Sequence, residues 1–225
     1  MRALTLMEGA YSPLGCPAME ALLAFAATLV SLRLSAELLR RYRTRRAPEL
    51  VAWAGSLAAF ALGSGALAWG AAAGWDDRTF RVYYLFGGLL TAALLGAGSL
   101  LRAGRAWAAP VALLYTGLAI GVVLAMQVTE PVVGGSIPEA QAHLDFLPAR
   151  LLAIVGNGVG TLAAVGVALA GMRRRPLGNG LILAGIVVAA LGSALAGLGE
   201  AESALFSAGA AVLLYAGFVS PARRS

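Results

Sequence analysis

Residues 40–72 read RRYRTRRAPELVAWAGSLAAFALGSGALAWGAA, a cluster of five arginines followed by an apolar segment that has no charged residue after Glu49. An α-helix needs about 20 apolar residues to cross the roughly 30 Å of hydrocarbon in a bilayer, and this segment is long enough. Arginine collects at the cytoplasmic ends of membrane helices. The stretch therefore predicts a transmembrane helix that begins near Pro48 on the cytoplasmic side.

The rest of the chain has the same character. Its 225 residues are 60% hydrophobic and 12% charged, whereas a soluble domain is usually about 45–50% apolar and about 25% charged. Hydropathy divides the chain into seven apolar segments. We predict an all-α bundle of seven transmembrane helices in a single domain, residues 1–225, with helices at 18–40, 48–72, 80–101, 107–128, 148–171, 177–198 and 203–219.

The charges alternate from loop to loop. Arginines lie at residues 40–46, 102–105, 173–175 and 223–224, and acidic residues lie at 76–77, 130–145 and 200–202. The positive-inside rule then predicts a multi-pass protein of the inner (plasma) membrane, with an extracytoplasmic N-terminus and a cytoplasmic C-terminus. All 17 basic residues are arginines, so a retinal Schiff base, which needs lysine, is excluded. Arginines at helix ends fit membrane topology and do not predict a nucleic-acid partner.

Four polar residues lie in the middle and outer parts of the predicted helices: Asn157, Thr161, Thr91 and Tyr115. Polar side chains in lipid either face a cavity or bond to neighbouring helices. We predict that these four line a ligand pocket that opens toward the outer leaflet or outer surface. The alternative is that they tie helices together without touching a ligand.

Charged residues near the helix ends form two further candidate sites. At the outer end, Glu20, Arg81 and Arg150 would bind an anionic or zwitterionic headgroup, or would be boundary charges with Arg81 paired to Asp76 or Asp77. At the inner end, an arginine cluster would attract anionic lipid at about 1 kcal/mol per arginine; its members are Arg40, Arg41, Arg43, Arg45 and Arg46.

Two other groups of charged residues are expected to be structural. Arg33 and Glu37 are spaced as an i,i+4 ion pair on the first helix. In the long outer loop, Ser136 and Glu139 have the spacing of a helix N-cap and predict a short surface helix. That helix would bring Glu139 and His143 near Asp145, but one histidine and two carboxylates do not make a closed ligand set, and no metal is predicted.

A possible internal repeat relates the two halves of the chain. The segment Ala-Leu-Gly-Ser occurs at residues 61–64 and again at 190–193, each time in a helix that follows arginines and a proline. This pattern predicts that helices 1–3 superpose on helices 5–7 as parallel units, with helix 4 as the linker. Parallel repeats of this kind occur in small transporters.

Three stretches, residues 80–87 (FRVYYLFG), 156–162 (GNGVGTL) and 176–182 (PLGNGLI), resemble those of an uncharacterised family of bacterial seven-helix membrane proteins. The similarity runs over nearly the whole chain and implies the fold but no activity. The layout also resembles, more loosely, the seven-helix folds of receptors, opsins and sugar-efflux carriers. The chain differs from opsins in having no lysine and from the sugar carriers in having no proline–glutamine pair.

Two kinds of function are open on this basis. The first is the binding or transport of a small hydrophobic or lipid-like molecule, which an apolar pocket with few polar groups would suit. The second is an accessory or sensor subunit of a larger membrane complex, with a membrane protein as its partner. No enzyme activity and no cofactor are expected, because no nucleophile–base pair and no metal set lies within the predicted helices.

Overall fold

The protein is seen in a computed structural model that describes residues 17–127, 138, 143–144, 146–173, 175–196 and 203–219. These residues form seven helices and no strand. The helices are α1 (Pro17–Arg45), α2 (Pro48–Ala73), α3 (Asp77–Arg102), α4 (Ala108–Ala125), α5 (Phe146–Ala170), α6 (Pro176–Ala196) and α7 (Ser203–Val219). For these residues the prediction of an all-helical fold is confirmed.

Five helices, α1 to α5, are long and apolar enough to cross a membrane. In the described residues, α6 and α7 contain shorter apolar stretches, Pro176–Gly192 and Ala208–Gly217. Helix α1 extends five residues beyond its predicted end, through most of the arginine cluster. Arginines are favoured in the last turn of a helix, because their charge complements the helix dipole and their long side chains reach the aqueous boundary.

Helix α2 lies between α1 and α3 and is the most buried of the five. Glycine allows its closest approach to α3, since a Cβ added to Gly63 would lie 2.9 Å from the Cα of Gly87. On the other side, the hydroxyl of Ser35 in α1 donates to the carbonyl of Ala54 at 2.8 Å. Lipid provides no hydrophobic force between helices, so close backbone packing and interhelical hydrogen bonds hold them together.

Helix α3 is interrupted by a π-helical segment, Tyr84–Leu90, between two α-helical parts. The helix begins with Asp76 as N-cap, whose carboxylate accepts from the backbone N–H of Thr79 at 2.7 Å. Hydrogen bonding from Thr79 holds the pKa of this carboxyl below its usual range. A π-helix bonds residue i to i+5, so where it joins an α-helix some carbonyls lose their regular partners.

The packing order does not reproduce the predicted repeat. Helix α1 packs along α2, whereas the corresponding helices α5 and α6 contact each other only slightly. Helix α5 packs instead on α3, α6 packs on α7, and α7 packs back on α1. Helix α4 is peripheral, with contacts to α3 and to the start of α5. The first three helices thus pack differently from the last three, and the repeat gains no support.

Candidate functional site

The polar centre of the bundle is built around the π-helical segment of α3. Three of its carbonyls accept hydrogen bonds from side chains: Phe86 O from Thr91 Oγ1 at 2.7 Å, Gly88 O from Asn157 Nδ2 at 2.8 Å, and Leu89 O from the Tyr115 hydroxyl at 3.2 Å. Carbonyls in lipid must find partners within the protein, because no water is present to bond them. These side chains therefore satisfy the backbone of the interrupted helix.

Tyr115 ties three helices together. Its hydroxyl lies 3.2 Å from Leu89 O in α3 and 3.1 Å from Leu152 O in α5, while its backbone belongs to α4. It fits tightly against Gly156, where an added Cβ would collide with the phenol ring. Of the four polar residues predicted to line a pocket, Thr91, Tyr115 and Asn157 bond to the π-helical segment. Thr161 lies half-buried one turn further along α5.

An apolar cleft of about 170 Å³ lies beside this polar centre, between α3, α4 and α5. Its lining includes Tyr115 and is otherwise made of apolar and small residues: Ala93, Leu94, Gly96, Ala97, Leu100, Trp107, Ala108, Val111, Ala112, Val155, Gly156, Val159, Gly160 and Ala163. Trp107, Val111 and Val159 are more than half exposed, so the cleft opens sideways, onto the lateral surface of the bundle.

The position of this cleft differs from the predicted one. It extends from Tyr115 toward Trp107 and Leu100, which is the end of the bundle where α3 stops at Arg102. The sequence analysis placed the pocket toward the opposite end. The polar residues were expected to mark the pocket because polar groups usually orient ligands. Instead, Thr91, Asn157 and Tyr115 bond to carbonyls of α3, and of these three Tyr115 also lines the cleft.

At the end of the bundle where α3 begins, Arg81 and Arg150 are both half-buried. Arg81 donates to the carbonyl of Val123 in the last turns of α4 at 2.6 Å, which joins α3 to α4. The guanidinium of Arg150 lies 5.6 Å from the ring centroid of Phe146. The side chain of Glu20, the third member of the predicted rim, lies outside the described residues. A headgroup site here stays a prediction.

At the opposite end, Glu37 forms ion pairs with Arg40 and with Arg41, the latter at 3.0 Å. The predicted pair of Arg33 with Glu37 is therefore wrong. A carboxylate placed N-terminal to its basic partner is the favoured order on a helix, because both charges then complement the helix dipole. Arg43, Arg45 and Arg46, which follow these ion pairs in the chain, are exposed. The guanidinium of Arg46 lies 5.7 Å from the ring centroid of Tyr42.

The predicted surface helix of the long outer loop falls largely outside the described residues, as do Glu139 and Asp145. His143 is described and packs edge-on against Phe80, with 5.9 Å between ring centroids. Within the described part of the chain, no group of three His, Cys, Asp or Glu side chains is close enough to hold a metal ion.

Comparison of the chain with protein-family models, with curated proteins and with solved structures gives no match. The family resemblance of residues 80–87, 156–162 and 176–182 therefore stays a prediction. The structure links the first two of these stretches. The first contains the start of the π-helical segment, and the second contains Asn157, which bonds to it.

Proposed function

We propose that the chain is a seven-span protein of the inner (plasma) membrane, with its N-terminus outside and its C-terminus in the cytoplasm. We further propose that it binds or transports a small hydrophobic or lipid-like molecule in the cleft between α3, α4 and α5. The observation that carries this proposal is the cleft itself, which is apolar and opens onto the side of the bundle, where lipid would lie in a membrane.

The chemistry of the cleft favours a hydrocarbon ligand. Tyr115 supplies a hydroxyl, and that hydroxyl already lies within hydrogen-bond distance of two carbonyls. A volume of about 170 Å³ is below the roughly 300–1,000 Å³ of sites for drug-sized ligands. The cleft therefore suits one segment of an acyl or isoprenoid chain. Lipid tails are as apolar as the lining, so selectivity would come from shape and close packing.

A binding role also fits the way the polar groups are used. Catalysis needs a nucleophile and a base within hydrogen-bond reach, or a metal set, at the place where substrate lies. The described lining of the cleft offers neither. We propose that the protein acts by binding, as a carrier or as a sensor that passes its signal to a partner.

Mass spectrometry of the detergent-purified protein tests the proposal, using Ala112→Phe as the blocking variant. Ala112 lines the cleft, so a phenylalanine there fills it. Leu113→Phe is the matched control, because Leu113 is the next residue and is 74% exposed. We expect a stoichiometric hydrophobic molecule to co-purify with the wild type and with Leu113→Phe, and to be lost from Ala112→Phe.

Two results would contradict the proposal. One is that all three proteins carry the same bound molecules in the same amounts, which would mean that the cleft is not the site. The other is a second protein that co-purifies at constant ratio with all three, while no small molecule does. That result would favour the accessory or sensor subunit.

A further inference from the structure

Arginines from three separate elements converge at the end of the bundle where α1 and α3 stop. The inner apolar core here includes Leu34 and Leu38 of α1 and Leu95 of α3. Residues three, four and seven apart share a helix face. Arg41 therefore continues the face of α1 that carries Leu38, and Arg102 continues the face of α3 that carries Leu95. Both arginines cap this core.

Arg102 is held against the same core by an aromatic ring. Its guanidinium carbon lies 5.8 Å from the ring of Trp53, which is part of the core and 9% exposed. Trp53 in turn packs on α3, since a Cβ added to Gly98 would collide with its indole. A guanidinium over an indole face is a favourable arrangement that leaves its edge N–H groups free to bind a planar anion.

Arg175 comes from the connection between α5 and α6, and its backbone is fixed on both sides. Its N–H donates to Gly171 O at 3.2 Å, and its carbonyl accepts from the Asn179 N–H at 2.9 Å. Its side chain is half-buried, and Nε is out of contact with solvent. Burial lowers the pKa of this guanidinium, and the nearby charges of Arg102 and Arg41 lower it further. Arg175 is thus close enough to Arg102 and to Arg41 to feel the charge of each.

This end of the bundle has a large excess of positive charge. It contains nine arginines and two carboxylates, Glu37 and Glu49, counted over residues 37–49, 102–105 and the described residues of 173–175. Glu37 pairs with Arg40 and Arg41. An anion lying between Arg41, Arg102 and Arg175 would offset the remaining excess of positive charge, and arginine binds phosphate oxygens through two parallel hydrogen bonds.

We propose that Arg41, Arg102 and Arg175 form a binding site for a phosphate group. The group would come either from the headgroup of an anionic phospholipid or from a free phosphate compound. Basic pockets between helices at the membrane boundary bind phospholipid headgroups in this way. The site is separate from the cleft, and it adds Arg102 and Arg175 to the arginines that sequence analysis singled out.

Native mass spectrometry of the detergent-purified protein titrated with phosphatidylglycerol tests the lipid source. Arg102→Gln and Arg175→Gln should each weaken retention of the lipid about fivefold, as expected from about 1 kcal/mol per arginine at the membrane surface. The matched controls are Arg105→Gln and Arg173→Gln, which remove an exposed arginine from each of the same connections. Arg102 is exposed as well, and its contact with Trp53 is what distinguishes it. The controls should retain the lipid nearly as well as the wild type.

The second arm uses inorganic phosphate with delipidated protein and follows the melting temperature. A higher melting temperature with inorganic phosphate alone identifies a soluble ligand. A higher melting temperature with phosphatidylglycerol alone identifies the lipid headgroup. Either result upholds the site if Arg102→Gln and Arg175→Gln abolish the increase. The proposal is overturned if neither phosphate source stabilises the wild type, or if all four variants weaken binding equally, since that is the behaviour of diffuse surface charge.

The melting temperature of each variant without any phosphate is measured as the reference. Relative to its own reference, delipidated Arg175→Gln should lose the stabilisation by phosphatidylglycerol that the wild type shows. If Arg102→Gln does not fold because its stacking on Trp53 is needed, Arg102→Lys keeps the charge and removes the two-point geometry. Full binding by Arg102→Lys would contradict the arginine-specific site.

Discussion

Asn157 shows how a single polar residue is used in this apolar helical bundle. Sequence analysis identified it as one of the few polar side chains within the helices and left two roles open, ligand contact or interhelical bond. The structure gives it a bond to Gly88 O at 2.8 Å. The sequence could not distinguish these roles, because the need for that bond arises from the π-helical segment of α3, and hydropathy does not reveal a π-helix.

Replacing Asn157 with alanine should therefore destabilise the fold. The change leaves the Gly88 carbonyl without this partner in an apolar environment, which costs about 1–3 kcal/mol. Thr116→Ala is the control, because the Thr116 hydroxyl donates within its own helix, to Ala112 O at 2.8 Å. Thermal denaturation in detergent should show a lower midpoint for Asn157→Ala than for Thr116→Ala. Equal midpoints would contradict the role of Asn157 in holding α3 to α5.

Gly160 marks the closest approach of α5 to α3. A Cβ at this position would overlap the carbonyl of Ala92, and one at Gly96 would overlap Gly160 itself. The sequence showed glycines at four-residue spacing in several helices, but it could not tell which of them face a neighbour. In a chain with 29 glycines, many such pairs occur by chance.

The substitutions Gly160→Ala and Gly158→Ala should have opposite effects. Gly160→Ala forces the two backbones apart and lowers the melting temperature, as overpacking costs about 1–3 kcal/mol. Gly158 is two residues away on the same helix and has no atom within 4 Å of an added Cβ. Gly158→Ala should be neutral or stabilising by up to about 1 kcal/mol, since alanine favours the helix. A neutral Gly160→Ala would show that α3 and α5 do not pack as described.

At the scale of elements, the helices were predicted to within a few residues at most ends, because the lengths of apolar runs and the arginines at their ends define them. The interruption of α3 was not predicted. Its residues, Tyr84–Leu90, are as apolar as those of a regular helix. Gly87 and Gly88 within it were the available signal, since paired glycines weaken a helix and allow close approach to a neighbour.

The π-helical segment should couple the residues that bond to it. Asn157 and Tyr115 bond to adjacent carbonyls, Gly88 O and Leu89 O. If the first substitution already lets the segment relax, the second one costs less. In a double-mutant cycle of Asn157→Ala and Tyr115→Phe, we expect the double variant to lose less stability than the two single variants lose together. The difference should be about 0.5–3 kcal/mol. Strict additivity would mean that the two bonds act independently.

At the scale of the whole molecule, the sequence predicted the seven helices that the described residues form, but not their packing order. Composition and charge determine which segments are helical and where they end, while packing depends on shape at positions such as Gly63 and Gly160. The repeat illustrates the difference. The matching segments at 61–64 and 190–193 lie in helices with different neighbours, since α2 packs between α1 and α3 while α6 packs mainly on α7.

Two proposals depend on how many times the chain crosses the membrane and in which direction. They are the cytoplasmic position of the arginine-rich end and the leaflet that the cleft faces. The crossings and their direction are tested most directly by labelling single cysteines with a membrane-impermeant thiol reagent in intact cells. The background is Cys16→Ala, and the three positions are Arg43, Arg78 and Glu200. Seven crossings with an external N-terminus place residue 43 inside and residues 78 and 200 outside.

We therefore predict that Arg78→Cys and Glu200→Cys react in intact cells, and that Arg43→Cys reacts only after the membrane is permeabilised. Arg43 and Arg78 are both exposed in the structure, so protection at either would reflect the membrane and not burial. Protection of Glu200→Cys together with labelling of Arg78→Cys would reduce the crossings to the five long helices. Labelling of Arg43→Cys in intact cells, with Arg78→Cys protected, would contradict the proposed orientation.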